Sequence, residues 1–78
     1  MKTTQYFQYT KKRKDRAAIN EEWIKFVIEK PEKVKIQSDG RIKKWAKISE
    51  AEKYLRVILL EDDETVHNAF FDRSYKGE

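Results

Sequence analysis

From Val34 to Phe71 apolar residues recur at every second position, in runs separated by short polar clusters. Period two is the spacing of one face of a β-strand, so Val34 to Ser38, Arg41 to Ile48, Tyr54 to Leu60 and Thr65 to Phe71 read as successive strands. Parity then fixes how they pair. A two-residue loop on Asp39-Gly40 would set Ile36 against Lys43 and split Ile36 and Ile42 between opposite faces. A three-residue loop, Ser38-Asp39-Gly40 with Gly40 left-handed, pairs Ile36 with Ile42 and is the expected form. It gathers Val34, Ile36, Ile42, Ala46 and Ile48 on a core face, with Arg41, Lys43, Trp45 and Lys47 on the other. Ser49 to Lys53 is a polar connection. In the second hairpin, with Asp62-Asp63 at the tip of an acidic turn, Leu59 faces Val66, Val57 faces Asn68 and Leu55 faces Phe70. The opposite side then carries Tyr54, Arg56, Ile58, His67, Ala69 and Phe71, with His67 across from Ile58 and diagonal to Arg56.

Upstream, Gln5 to Thr10 alternates aromatic residues and reads as a first strand, broken by the cationic run Lys11 to Lys14, a loop. Asp15 is a candidate cap for a helix over Ala17 to Lys30, in which Ile19, Trp23, Phe26, Val27 and Lys30 recur at the spacing of one helical face. Glu21 and Glu22 suit its start and Lys30 its end. Pro31 stops it. The expectation is an α+β domain, one main helix packed on a four- to five-stranded, mainly antiparallel sheet.

A chain of 78 residues buries one small core, so residues 1–78 form a single domain. Cysteine is absent and His67 is the only histidine, which removes disulfides, thiol nucleophiles and Cys/His zinc sites; no metal or other cofactor is expected. No run approaches the ~20 apolar residues of a membrane span. The N-terminus MKTTQYFQYT lacks the apolar core of a signal peptide, so the expected location is the cytoplasm. The net charge of +4 suits a polyanion, an acidic protein or simple solubility.

Two constellations carry candidate chemistry. His67, Arg56, Arg73 and Tyr75 hold the groups that metal-free cleavage of an RNA phosphodiester needs: a proton carrier that titrates near neutrality, cations to clamp the phosphate, and a tyrosine to orient or stack a base. The plainer reading packs His67 beside Ile58 and leaves the cations as a solvated rim. Arg41, Lys43, Lys44 and Trp45, with Lys76 in the tail, form a basic and aromatic surface suited to single-stranded RNA, although a tryptophan on a strand also serves packing. Lys11 to Lys14 reads as a solvated loop and Glu61 to Glu64 as an acidic turn without the ligand spacing of a calcium loop.

Lys30-Pro31, Asp39-Gly40-Arg41-Ile42 with Trp45, Tyr54 to Asp62, and Glu64 to Arg73 together resemble small bacterial proteins of the RelE/ParE toxin superfamily, nearest its BrnT-like branch. The resemblance implies a microbial-ribonuclease-like sheet and the toxin of a type II toxin–antitoxin pair, cleaving messenger RNA, often on the ribosome, until a cognate antitoxin covers it. It implies phosphate-binding roles for Arg56 and Arg73 and places Tyr75 in the functional tail. His67 departs from the family pattern by lying within the last strand, and the superfamily includes members without a nuclease site. Two alternatives stand beside this reading: a non-catalytic module binding RNA or an acidic protein, and a subunit whose strand edge pairs with another chain, as a homodimer or with an antitoxin.

Overall fold

The computed structural model describes residues 1–14 and 16–77. Its elements are α1 (Gln5–Thr10), α2 (Glu21–Glu29), β1 (Lys33–Ile36), β2 (Ile42–Ile48), β3 (Lys53–Leu59) and β4 (Val66–Phe71). The strands form one antiparallel sheet in the order β1-β2-β3-β4. Helix α2 packs on β2 and β3 and helix α1 on β4. The fold is therefore α+β as expected, with two helices where one was foreseen. No helix among the described residues is long and apolar enough to cross a membrane.

The segment Gln5–Thr10 is a helix, not a strand. Thr4 caps it, its hydroxyl accepting the Phe7 N–H at 3.1 Å, and satisfies a donor the first turn leaves orphaned. Helical spacing sends Phe7 and Thr10 inward together and leaves Tyr6 and Tyr9 exposed, so one aromatic of the alternating set is a core residue. The strand-like role falls to the preceding residues. Val66 N–H donates to the Lys2 carbonyl at 2.8 Å and Thr4 N–H to the Val66 carbonyl at 3.0 Å, a short parallel bridge along β4.

Helix α2 starts later than the periodicity implied. Its cap is Asn20, whose side chain accepts the Glu22 N–H at 2.8 Å; Asp15, the expected cap, lies outside the described residues. Ile24 and Val27 are the buried pair, with Trp23 and Ile28 packed at the flanks. Phe26, expected in the core, is 43% exposed, because the sheet contacts only the narrow stripe centred on Ile24 and Val27.

The first hairpin has the expected register, Ile36 opposite Ile42. Gln37 N–H bonds the Arg41 carbonyl at 2.7 Å, and Gly40 takes φ +92°, a conformation glycine adopts at little cost. Ala46 and Ile48 are buried as foreseen, but Val34 is 51% and Ile36 69% exposed. Both lie on the helix side of the sheet, yet α2 reaches only β2 and β3.

The second hairpin begins in the expected register, Leu59 opposite Val66, and then slips by one. His67 is an extra residue in a β-bulge, so Ile58 faces Asn68, Val57 faces Ala69, Arg56 faces Phe70 and Leu55 faces Phe71. The slip exchanges the faces foreseen for the end of β4. Ala69 is buried in the core and Phe71 packs against it, while Asn68 and Phe70 turn to the open face. Leu55, Val57, Leu59, Val66 and Val27 form the fully buried centre, each contributing about 1.5–3 kcal/mol by burial.

Candidate functional site

The face of the sheet away from the helices is organised in rows set by the register. One row runs Lys35, Lys43, Ile58, Asn68; the next runs Lys33, Trp45, Arg56, Phe70; and Lys47 stands opposite Tyr54 beyond them. Lys35 and Lys43 are thus direct cross-strand neighbours, and neither has an ion-pair partner among the described residues. Lys44, expected beside Lys43 on this surface, points the other way. It is buried, its Nζ donating to the Ile28 carbonyl at 3.2 Å and pairing with Asp63 at 3.0 Å. Strand alternation separates two adjacent lysines into a solvent cation and a structural one.

The centre of the open face is closed by the segment after β4. Asp72, which sequence reasoning left without a role, is buried, and one of its oxygens takes three donors: Trp45 Nε1 at 2.9 Å, Arg56 Nε at 2.9 Å and an Arg56 terminal nitrogen at 2.5 Å. Its other oxygen accepts the Ser74 N–H at 3.0 Å and the Ser74 hydroxyl at 2.6 Å. Burial disfavours the carboxylate, but the bonds from Ser74, Trp45 and Arg56 outweigh it and hold the pKa of Asp72 well below the usual carboxylate range. This group is permanently ionised near neutrality and neutralises Arg56. Phe70 and Asp72 share parity with Arg56 only because of the bulge, so the unshifted register put Asp72 on the opposite face.

Tyr75 folds back onto the same centre, 5.4 Å from the Trp45 ring and edge-on to Tyr54 at 4.9 Å between centroids. Arg56 lies over Trp45 and Phe70, at 5.4 and 4.8 Å from the ring centroids. The Lys33 ammonium sits 5.7 Å from the Tyr75 ring centre. In consequence Trp45 is only 7% exposed, and the partly exposed rings of this face are Tyr54, Phe70 and Tyr75. Arg73 and Lys76 are exposed and, with Lys53, rim a shallow basin of about 330 Å³ whose walls include Tyr54 and Tyr75.

His67 belongs to a different neighbourhood. Its ring stacks on Tyr6 at 4.8 Å and its Nδ1 lies 3.2 Å from the Thr4 hydroxyl. Burial of the ring, and secondarily the positive charge of Arg41, push its pKa below the ordinary 6.5. Arg41 itself is exposed and paired with Asp39 at 3.8 Å. Arg56 stands opposite Phe70, three positions beyond His67, which is about 10 Å along a strand. The expected catalytic set therefore separates: His67 lies with Thr4 and Tyr6, Arg56 with Asp72, Trp45 and Tyr75, and Arg73 on the exposed rim. The bulge is the cause, because it replaces the foreseen opposition of His67 and Ile58 with that of Asn68 and Ile58.

Among the described residues no group of three or more His, Cys, Asp or Glu side chains is placed to share a metal ion. No protein-family model matches the chain, and no curated protein or solved structure matches it significantly.

Proposed function

We propose that the chain is an RNA-binding domain that holds a single strand on the open face of its sheet and acts by binding. The observation that carries this reading is the cross-strand pair Lys35 and Lys43. Like charges directly opposite one another destabilise a sheet by up to about 1 kcal/mol, so the arrangement does not serve the fold. A phosphate shared between them reverses the sign of that contribution. Lys33 and Lys47 extend the cationic strip, and Tyr75 and Tyr54 offer ring surface for stacked bases beside it. RNA rather than DNA is favoured by the resemblance to RelE/ParE toxins, in which this surface would meet messenger RNA on the ribosome and a cognate antitoxin would be the protein partner.

A ribonuclease toxin is the second reading. The observation favouring it is His67, held neutral near pH 7 and so suited to accept a proton. Against it stand the separation of His67 from Arg56 and the neutralisation of Arg56 by Asp72. The test is fluorescence anisotropy with a labelled single-stranded RNA across a salt series, with product gels from the same samples. Losing both lysines, in Lys35→Ala with Lys43→Ala, reduces the salt slope by about 0.7, the share of the one phosphate they hold between them. An unchanged slope refutes the binding surface. RNA cut by the wild type but not by a folded His67→Ala variant replaces the binding reading with the nuclease one.

A further inference from the structure

Strand β1 is bound to the sheet through β2 alone, and its other edge is uncovered among the described residues. The hydrogen bond from Gln37 N–H to the Arg41 carbonyl fixes the phase of the ladder. Residues 35 and 37 bond inward to β2, so the backbone N–H and C=O groups of Val34 and Ile36 point out from the edge. These are the same residues whose side chains stand exposed on the helix side, at 51% and 69%. Lys33 and Lys35 alternate with them on the open face. The edge thus presents backbone donors and acceptors, two apolar side chains on one face and two cations on the other.

We infer that the free edge of β1 is a docking site for an extended partner segment in which acidic residues alternate with apolar ones. Residues set antiparallel to Val34 and Ile36 share their face and extend the apolar patch; the residue opposite Lys35, which has no ion-pair partner among the described residues, shares the cationic face and favours negative charge. A second copy of this chain fits less well. Of the antiparallel self-pairings that keep Val34 and Ile36 on one face, two set Lys35 against itself or against Lys33, with Lys43 adjacent on the same side; the one centred on Ile36 sets Lys35 against Gln37 but runs Val34 against Ser38 in the turn. Charge therefore selects a foreign acidic strand over the chain's own edge, and the lysines guard against self-association. This inference shares Lys33 and Lys35 with the RNA-binding reading, but its backbone edge contacts do not rest on that reading.

The experiment uses the ¹⁵N-labelled full chain and three blocked probe peptides: alternating glutamate and valine, alternating lysine and valine, and the glutamate peptide N-methylated on its edge-bonding amides. The glutamate peptide binds weakly, near millimolar or somewhat tighter, because only about four edge hydrogen bonds form, and the largest amide shifts fall on Val34 and Ile36. N-methylation weakens it at least tenfold. Ile36→Pro removes an outward N–H without touching the ladder to β2; it abolishes binding while the remaining amide spectrum stays dispersed. In a folded Lys33→Glu, Lys35→Glu variant the preference passes to the lysine peptide. The inference is overturned by equal binding of the N-methylated peptide, which would show charge attraction alone. It is also overturned by no shift at millimolar peptide, or by sedimentation showing dimers lost in Ile36→Pro, which would assign the edge to a second copy.

Discussion

Replacing Asp72 by alanine should be among the most damaging single changes on the open face. It removes the acceptor of the Trp45 indole N–H and of both Arg56 bonds, and leaves the Arg56 guanidinium, 20% exposed, without its carboxylate. Breaking a fully buried pair costs about 3–5 kcal/mol, and partial exposure of Arg56 puts this case at the lower end, about 3 kcal/mol. A domain of this length has about 4–12 kcal/mol in total, so the expected fall in melting temperature is about 12–24 °C. Thermal melts measure the fall in melting temperature and urea unfolding the loss of free energy, with tryptophan fluorescence from Trp45, beside Asp72, and from Trp23 as the signal. The pH dependence supplies a second reading. Because the folded pKa of Asp72 lies below its ordinary 3.8, its stabilisation is complete above that pH and is lost as pH falls through 3.8 toward the folded value. Asp62, drawn down to about 2 by the Thr65 hydroxyl and then by the Thr65 and Glu64 N–H groups, adds to the same acid slope, so the comparison belongs in an Asp62→Asn background. A loss below about 1 kcal/mol, with the acid slope of that background unchanged, would refute the buried-carboxylate argument.

Other expectations follow from the same geometry. Lys44→Ala should lower stability by about 1–3 kcal/mol by leaving the Ile28 carbonyl and Asp63 without their cation, yet leave the salt slope of RNA binding unchanged; Lys43→Ala should do the opposite, as urea melts and anisotropy on one pair of variants can show. His67→Phe should flatten the pH dependence of stability just below 6.5. The folded pKa is lowered, so the wild type gains stability as pH rises through that window and holds it above, measurable as urea midpoints between pH 5 and 7.5. Gly40→Ala should cost about 1–2 kcal/mol from its positive φ, and the nearest atoms its Cβ would meet belong to the Glu61 side chain, at 2.7 Å, which must move aside. A melt showing no loss there would mean that the turn relaxes to another form.

How much of this was legible in the sequence depended on whether the evidence was local. The first hairpin's register followed from parity because Ile36 and Ile42 flank a single glycine, and the hydrogen-bonded turn sits where parity put it. Gln5–Thr10 misled because aromatics at alternate positions satisfy a strand pattern, whereas the deciding facts were the Thr4 cap and the place for Phe7 over β4. The His67 bulge left no mark in the pattern: shifting the register by one moved Ala69 and Phe71 onto the core face and Asn68 and Phe70 off it, and both readings looked amphipathic. Trp45 and Lys44 show the remaining limit. Which cation or ring is accessible was decided by the helix end at Ile28 and the tail at Asp72 and Tyr75, far away along the chain.

The most direct measurement of the central claim is an amide-shift titration of the ¹⁵N-labelled chain with a short single-stranded RNA at low salt. The account predicts perturbations concentrated on β1 and β2 around Lys35 and Lys43 and on Tyr54 and Tyr75, fading as salt rises. Shifts confined to the Lys11 to Lys14 loop and the helices, or none at all, would contradict it.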